Sequence, residues 1–200
     1  KPEIAVMNKK QQLRLEKYLD ERPSVTSVGI AISMYMGLRI GEVCALQWKE
    51  IDLEKRVLTV SKTIQRVQCR TGSKQTKLII TEPKSESSKR TIPIPDCLLP
   101  LLRRFKDNGE VYVVSGRKKP VEPRTMQYRF AKILHNADLP SFHYHSLRHL
   151  FATRCVELGF DVKTLSEILG HSSVEVTLNR YIHSDMERKR TCMSLLSKCA

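Results

Sequence analysis

The middle of the sequence constrains the fold most strongly, because its pattern of apolar and turn-forming residues differs from that of both flanks. Across residues 57–94, short β-branched runs alternate with turn-forming clusters such as Thr71-Gly-Ser, a pattern typical of short strands. On either side, apolar residues recur at helical spacing, and Gly37, Gly159 and Gly170 stand where helices would stop. The sequence therefore predicts a single, mainly α domain with a small antiparallel β-sheet, an α+β fold.

The predicted elements follow one another without a repeat or a linker. Strands are predicted over residues 57–60, 77–81 and 91–94, and we interpret them as one three-stranded sheet. Helices are predicted over residues 8–20, 24–36, from near 40, 96–108, 123–137, 146–158, 161–169 and 174–181, with a last helix at 186–196. No apolar run approaches the roughly 18 residues that span a bilayer, and no leader-like segment opens the chain. We therefore expect a soluble intracellular protein with no membrane partner.

The chain is strongly basic, with 35 Lys and Arg against 21 Asp and Glu and a net charge of +14. Such a surplus attracts polyanions, and nucleic acid is the natural partner. Basic composition alone is shared with many proteins that bind no nucleic acid, so the motifs must decide. The six cysteines form no C-x-x-C pair, and with scattered carboxylates they indicate neither disulfides nor a metal site. No metal and no cofactor are expected.

The strand region carries much of the positive charge. On a twisted hairpin, interleaved β-branched residues would keep the strands rigid while lysines reach phosphates. A solvated hairpin without a ligand is the alternative. The predicted DNA-binding residues are Lys62, Arg66, Arg70, Lys74, Lys77, Lys89 and Arg90.

Two arginines stand where phosphate chemistry would need them. Arg39 lies between the end of one predicted helix and the start of the next, beside free amide groups that favour phosphate, and Glu42 one turn on could hold its guanidinium. His145 and Arg148 are three residues apart at a predicted helix start, so they share a face near its positive end. Taken alone, each pair is more often a surface contact or a helix cap.

His171 and Tyr181 complete the candidates for chemistry. His171 follows Leu169-Gly170, which places its imidazole on a turn, and Tyr181 closes a short apolar helical pattern. A phenol with a pKa near about 10 attacks phosphate well only when a base or nearby cations favour the phenolate. A tyrosine nucleophile would therefore require the arginines and histidines already named, and a core tyrosine is the alternative.

Four segments, taken in order, resemble the motifs of tyrosine recombinases, the phage integrase family. They are LRIGEVCALQW at 38–48, EPKSESSKRTIPI at 82–94, HSLRHLFATR at 145–154 and LGHSSVEVTLNRY at 169–181. Each motif is modest, but four in the family's order are specific. The resemblance spans nearly three quarters of the chain and is closest to integrases of conjugative transposons from Gram-positive bacteria. A tyrosine recombinase catalytic-domain fold is expected.

The resemblance also implies roles for individual residues. Arg39 and Arg148 would clamp the scissile phosphate, and His145 and His171 would donate hydrogen bonds or move protons. Lys84 resembles the family's hairpin lysine, which protonates the departing 5′ oxygen. Tyr181 would form a 3′-phosphotyrosyl bond that a 5′-hydroxyl later reverses, so that neither ATP nor metal is required.

Three local departures from the family pattern leave alternatives open. His143 precedes His145 by two residues, although only His145 has the three-residue spacing to Arg148. Ser85 follows Lys84 where the family often has Thr, and Lys89 competes for the acid role. The stretch 63–81 is longer than a minimal hairpin, which suggests an added β-insertion for contacts with DNA or a partner.

The resemblance further implies a domain layout and an assembly. Residues 1–200 would form the catalytic domain, with a basic β-insertion at about 57–94 and a C-terminal tail helix at about 186–200. The family's core-binding and arm-binding domains would precede it. The expected partner is a double-stranded DNA recombination site, bound by a homotetramer that exchanges its tails between subunits, in the bacterial cytoplasm. A tail that packs in its own subunit is the alternative.

Three rival functions remain at this point. A type IB topoisomerase would use the same tyrosine chemistry without strand exchange. A non-catalytic DNA-binding module of the same fold would lack a clamp residue, and none is missing. A metal-dependent integrase or nuclease would need clustered carboxylates.

Overall fold

The computed structural model describes residues 7–68, 76–82, 88–107, 109–171, 173–181, 190 and 193–194. Its helices are α1 (Lys9–Glu21), α2 (Val25–Met36), α3 (Ile40–Ala45), α4 (Leu99–Phe105), α5 (Pro123–Asn136), α6 (Ser146–Glu157), α7 (Val162–Leu169) and α8 (Val174–Tyr181). Its strands are β1 (Ile51–Asp52), β2 (Val57–Val60), β3 (Thr63–Gln68), β4 (Thr76–Thr81) and β5 (Arg90–Pro93). Short 3-10 turns lie at Trp48–Glu50 and Asp96–Leu98. The predicted fold class, mainly α with a small antiparallel component, is confirmed.

The strands form two sheets, so the prediction of one three-stranded sheet is wrong. β2 lies between β1 and β5, whereas β4 pairs with β3 in a separate antiparallel hairpin. Burial explains the choice of partner. Leu58 of β2 and Ile92 of β5 are paired and buried together, but Leu78 and Ile80 of β4 remain exposed. The strand that can bury its apolar residues joins β2, and the 63–81 segment forms a hairpin of its own.

The helix predicted over residues 96–108 is shorter in the structure. It consists of the 3-10 turn Asp96–Leu98 and then α4, which ends at Phe105. Pro100 stands in the first turn of α4, where its missing N–H costs no intrahelical hydrogen bond.

α2 is the central helix of the domain. It is apolar on all sides, and Val28, Ile30 and Ile32 are completely buried, as expected for a helix surrounded by others. α3, α5 and α6 pack against it. Within the described residues, no helix is long and apolar enough to cross a membrane.

Three glycines set the close approaches around the end of α2. Gly37 and Gly170 end α2 and α7 with left-handed backbone, at φ of 69° and 64°, which glycine adopts without steric cost. A Cβ at Gly37 would lie 2.5 Å from the Phe151 ring, and one at Gly41 would lie 2.6 Å from the Ile64 carbonyl oxygen. The end of α2, the start of α3, α6, α7 and β3 therefore meet at one place.

Candidate active site

The C-terminal end of α7 receives three arginine side chains from three different elements. The last carbonyl groups of a helix have no partner within it and carry the negative end of its dipole, so they attract guanidinium groups. The pairs are Arg90 Nε with Ile168 O at 2.6 Å, Arg148 Nη2 with Leu169 O at 2.7 Å, Arg39 Nη1 with Leu169 O at 3.3 Å and Arg39 Nη2 with Gly170 O at 3.0 Å. These contacts bring together two residues of the predicted clamp and one that was not predicted there.

Arg39 is held at its backbone and at its side chain by one carboxylate. It is the N-cap of α3, and Glu42 at the third helical position accepts the Arg39 N–H at 2.9 Å and Nη1 at 3.0 Å. The side chain of Arg39 is 37% exposed. A fixed guanidinium with an open side is suited to binding an anion.

Arg148 lies deeper in the protein. It is only 2% exposed, and its guanidinium donates to the carbonyl oxygens of Gly37 at 2.8 Å and Leu169 at 2.7 Å. Such bonds offset the cost of burying a cation. Arg148 thereby joins the ends of α2 and α7, directly beside Arg39.

His145 stands at the start of α6, one turn before Arg148. It is exposed, and its ring meets the buried ring of His149 edge to face at 4.7 Å between centroids. His143 is also exposed, and both His143 and His145 line a cavity of about 450 Å³ next to Ile40. His145, rather than His143, stands at the N-cap position of α6.

Tyr144, between these histidines, is a core residue. Its hydroxyl is 2.9 Å from Ser33 Oγ and donates to the Gly29 carbonyl oxygen at 3.1 Å. Burial raises the pKa of this phenol well above its usual value. Tyr144 therefore anchors the segment, and it is poorly suited to act as a nucleophile.

His171 links the end of α7 to α8. It follows Gly170, and its Nδ1 is 2.7 Å from Oγ1 of Thr177, which is fully buried in α8. Tyr181 is the last residue of α8, four positions after Thr177 in the sequence. His171 therefore connects the end of α7, where the arginines bind, to Thr177 of α8.

Glu42 is the acidic partner at the centre of the site. Burial by itself raises the pKa of this carboxyl, but the hydrogen bonds and charge of Arg90, together with Arg39, outweigh burial and hold the pKa below its usual value. Glu42 is therefore a carboxylate at neutral pH. In the described part of the chain, no three His, Cys, Asp or Glu residues are grouped as metal ligands.

Arg90, which was predicted among the DNA-binding residues, has a buried side chain. Successive strand residues point to opposite faces of a sheet, so within β5 Arg90 lies on the same side as buried Ile92, while Thr91 is exposed. The side chain of Arg90 is only 6% exposed. The Arg90 guanidinium binds both Glu42 oxygens, at 3.1 and 2.9 Å. Glu42 gave the available signal: an acidic residue inside the apolar run IGEVCA requires cationic partners when buried.

The remaining DNA-binding candidates lie on the hairpin and around it. Lys77 is exposed and Lys62 is half-buried. Lys89 pairs with Glu82, and Arg66 donates its Nε to Glu122 at 2.7 Å and so ties the hairpin to the start of α5.

Several predicted residues lie outside the described residues. These are Arg70, Lys74, Lys84 and Ser85, and the tail 186–200 apart from Arg190, Met193 and Ser194. Their predicted roles stay predictions.

Comparisons with known proteins assign the chain to a family. The profile of the phage integrase family matches residues 5–188. A tyrosine recombinase XerC-like protein of Caldanaerobacter subterraneus subsp. tengcongensis is 33% identical over 180 residues, covering 80% of this chain and 46% of that protein. The ICEBs1 integrase of Bacillus subtilis is 28% identical over 165 residues, covering 76% of this chain and 43% of that protein. The chain thus spans about half the length of the curated relatives it matches.

Solved structures give the same answer for the fold. The Tn1549 transposon integrase in complex with a circular intermediate DNA matches with a TM-score of 0.76 and 26% identity, covering 98% of this chain and 66% of that one. XerA recombinase matches with a TM-score of 0.70 at 20% identity, covering 98% of this chain and 66% of that one, which supports the fold alone. With its helices, its hairpin and its arginine cluster in this arrangement, the chain belongs to the phage integrase family.

Proposed function

We propose that this chain is the catalytic domain of a site-specific DNA recombinase that integrates and excises a mobile element. The observation that carries the proposal is the meeting of Arg39 and Arg148 at the end of α7, one residue before His171. The similarity to an integrase solved with circular intermediate DNA supports a DNA substrate. The core-binding and arm-binding domains of the family would precede residues 1–200 in the complete enzyme.

The proposed reaction exchanges one phosphodiester for another. The phenol oxygen of Tyr181 gives its proton to His145 or His171 and bonds to the scissile phosphorus while the bond from phosphorus to the 5′ oxygen breaks, leaving a 3′-phosphotyrosyl link. Lys84 gives its proton to the departing 5′ oxygen. A 5′-hydroxyl from another strand then attacks the link and restores the phenol, so no external energy is consumed.

Arg39, Arg148, His145 and His171 would act on the phosphate oxygens. Donors fixed in advance stabilise the charge of the transition state without reorganising. The guanidinium of Arg39 is partly exposed, and the buried guanidinium of Arg148 lies beside it at the end of α7. The phosphate's positive surroundings would also favour the phenolate form of Tyr181.

The DNA backbone would be held by a broader basic surface. Its members are Lys62, Arg66, Arg70, Lys74, Lys77 and Lys89. Arg66 and Lys89 are paired with Glu122 and Glu82, so on binding each would exchange a carboxylate for a phosphate.

Assembly on DNA would be a homotetramer with the tail 186–200 passed between subunits. We propose that the tail packs against α8, where Val174 and Leu178, about one turn apart, are 38% and 40% exposed. Beside them, a cavity of about 650 Å³ opens between β5, α7 and α8. An apolar tail could be buried there. The bacterial cytoplasm is the proposed location.

Deleting residues 186–200 tests this assembly. We expect the truncated chain to bind a single site but to lose cooperative association on a full recombination site, because the contact between subunits is gone. Sedimentation on DNA measures the assembly. Unchanged cooperative assembly of the truncated chain would show that the tail packs within its own subunit.

The proposed activity is tested with a nicked duplex that loses its 5′-hydroxyl fragment after cleavage, so that the covalent intermediate cannot be resealed. We expect a protein–DNA adduct to accumulate in the presence of a chelator. An adduct that requires a divalent metal would favour a metal-dependent enzyme, and tight binding without any adduct would favour a non-catalytic module. Relaxation of supercoiled plasmid without strand exchange would favour a type IB topoisomerase.

A further inference from the structure

Two arginines share the carboxylate of Glu42, which is only 4% exposed. Glu42 Oε1 accepts from Arg39 Nη1 at 3.0 Å and from Arg90 Nη1 at 3.1 Å. Oε2 accepts from the Arg39 N–H and from Arg90 Nη2, both at 2.9 Å. A single buried negative charge therefore lies between two positive ones.

The two arginines differ in what else they can reach. Arg39 is 37% exposed at its side chain and Arg90 is 6% exposed. Arg90 also donates its Nε to the Ile168 carbonyl oxygen at 2.6 Å and its Nη1 to that of Ser88 at 3.1 Å. These bonds direct the Arg90 fork into the protein, and Arg39 is the partner that faces a ligand.

The charges indicate why a second arginine is present. Glu42 and Arg39 alone would form a neutral pair, and a neutral pair attracts a phosphate only weakly. With Arg90 the trio carries a net charge of +1, and Arg148 lies against the same helix end. In surroundings shielded from water, one additional unit of charge near the phosphate has a large effect on the transition state.

The fit around Arg90 is close. A Cβ added at Gly170 would lie 2.9 Å from Arg90 Nη1, so the glycine that ends α7 also makes room for this guanidinium. Arg90 thereby ties β5 to the end of α7, next to His171.

We propose that Arg90 is a positioning residue for DNA cleavage: it neutralises Glu42, so that Arg39 presents a fixed guanidinium and an uncompensated positive charge to the scissile phosphate. This proposal rests on the cleavage activity proposed above. It assigns to Arg90 no contact with DNA.

The test is a charge-removal cycle on the whole chain. The variants are Arg90→Met, Arg90→Lys, Glu42→Gln and the double Glu42→Gln/Arg90→Met. Single-turnover cleavage of the nicked duplex is measured at saturating DNA, with DNA affinity and thermal unfolding in parallel. We expect Arg90→Met to slow cleavage about 100-fold while DNA affinity changes less than about 3-fold. Arg90→Lys, which keeps the charge, should slow cleavage about 10-fold or less.

The double variant separates this role from its alternatives. Because Glu42→Gln removes the charge that Arg90 neutralises, the double variant should cleave at least about 10-fold faster than Arg90→Met alone. A double variant as slow as Arg90→Met would overturn the proposal, since a purely structural loss gains nothing from a second lost ion pair. A loss of affinity as large as the loss of rate would also overturn it, by making Arg90 a phosphate contact.

A control variant completes the design. Arg129→Met removes a half-buried arginine side chain that donates to the Val114 carbonyl oxygen at 3.3 Å and to Thr26 Oγ1 at 3.5 Å, away from the α7 end. It should lower thermal stability and leave cleavage unchanged.

If Arg90→Met does not fold, the double variant should still fold and cleave within about 10-fold of Glu42→Gln, and a double variant that does not fold overturns the proposal. Absence of cleavage by the unsubstituted chain would count against the proposed function instead.

Discussion

The end of α7 and the β3–β4 hairpin both carry cations, but they hold them in opposite ways. At α7, Arg148 is 2% exposed and bound to two backbone carbonyl groups. On the hairpin, Arg66 is 46% exposed and Lys77 is open to solvent. Fixed, dehydrated cations stabilise a transition state, whereas exposed ones supply affinity that salt screens. We therefore propose that the first region carries out the chemistry and that the second binds the DNA backbone.

The largest effect is expected from changing the arginines at the end of α7. Arg39→Lys and Arg148→Lys should each slow cleavage by about 10²–10³-fold at saturating DNA. At Arg39, an ammonium cannot make two parallel bonds to phosphate oxygens. At Arg148, it cannot reproduce the two guanidinium bonds to the Gly37 and Leu169 carbonyl oxygens that join the ends of α2 and α7. Single-turnover rates on the nicked duplex measure this. Near-normal rates in both variants would erase the distinction between the two regions.

A chemical rescue extends the comparison to Lys84, which follows the hairpin in the sequence. Lys84→Ala should slow cleavage of ordinary DNA, again by about 10²-fold or more. It should cleave a substrate with a 5′-bridging sulfur at close to the normal rate, because that leaving group departs without a proton. Equal defects on both substrates would transfer the acid role to another residue, and Lys89→Ala is the matched variant to compare.

The smallest effect on cleavage is expected from lysine substitutions on and beside the hairpin. Lys62→Gln and Lys77→Gln should each reduce the slope of log affinity against log salt concentration by about 0.9, as for one lost phosphate contact, and leave cleavage at saturating DNA unchanged. Lys17→Gln, at a position on α1 whose side chain is 78% exposed, is the control that should alter neither quantity. A slow chemical step in the hairpin variants would mean that the hairpin shapes the active site as well.

What the sequence could predict was mostly local. The glycine that ends α2 and the pairing of Arg39 with Glu42 were predictable, because each feature depends on a few neighbouring residues. The pairing of Glu42 with Arg90 crosses 48 positions, and the choice of β5 over β4 as partner of β2 depends on which strand can be buried. Neither follows from periodicity, since both are decided by tertiary packing.

The most direct test of the account is the identity of the tyrosine that becomes joined to DNA. Peptide mapping of the adduct trapped on the nicked duplex should find the 3′ phosphate on Tyr181, and Tyr181→Phe should abolish the adduct with DNA affinity nearly intact, because only the attacking oxygen is removed. Tyr128→Phe, at a tyrosine that is 71% exposed on α5, should form the adduct normally. An adduct that persists in Tyr181→Phe, or that maps to Tyr112, Tyr128 or Tyr144, would contradict the account.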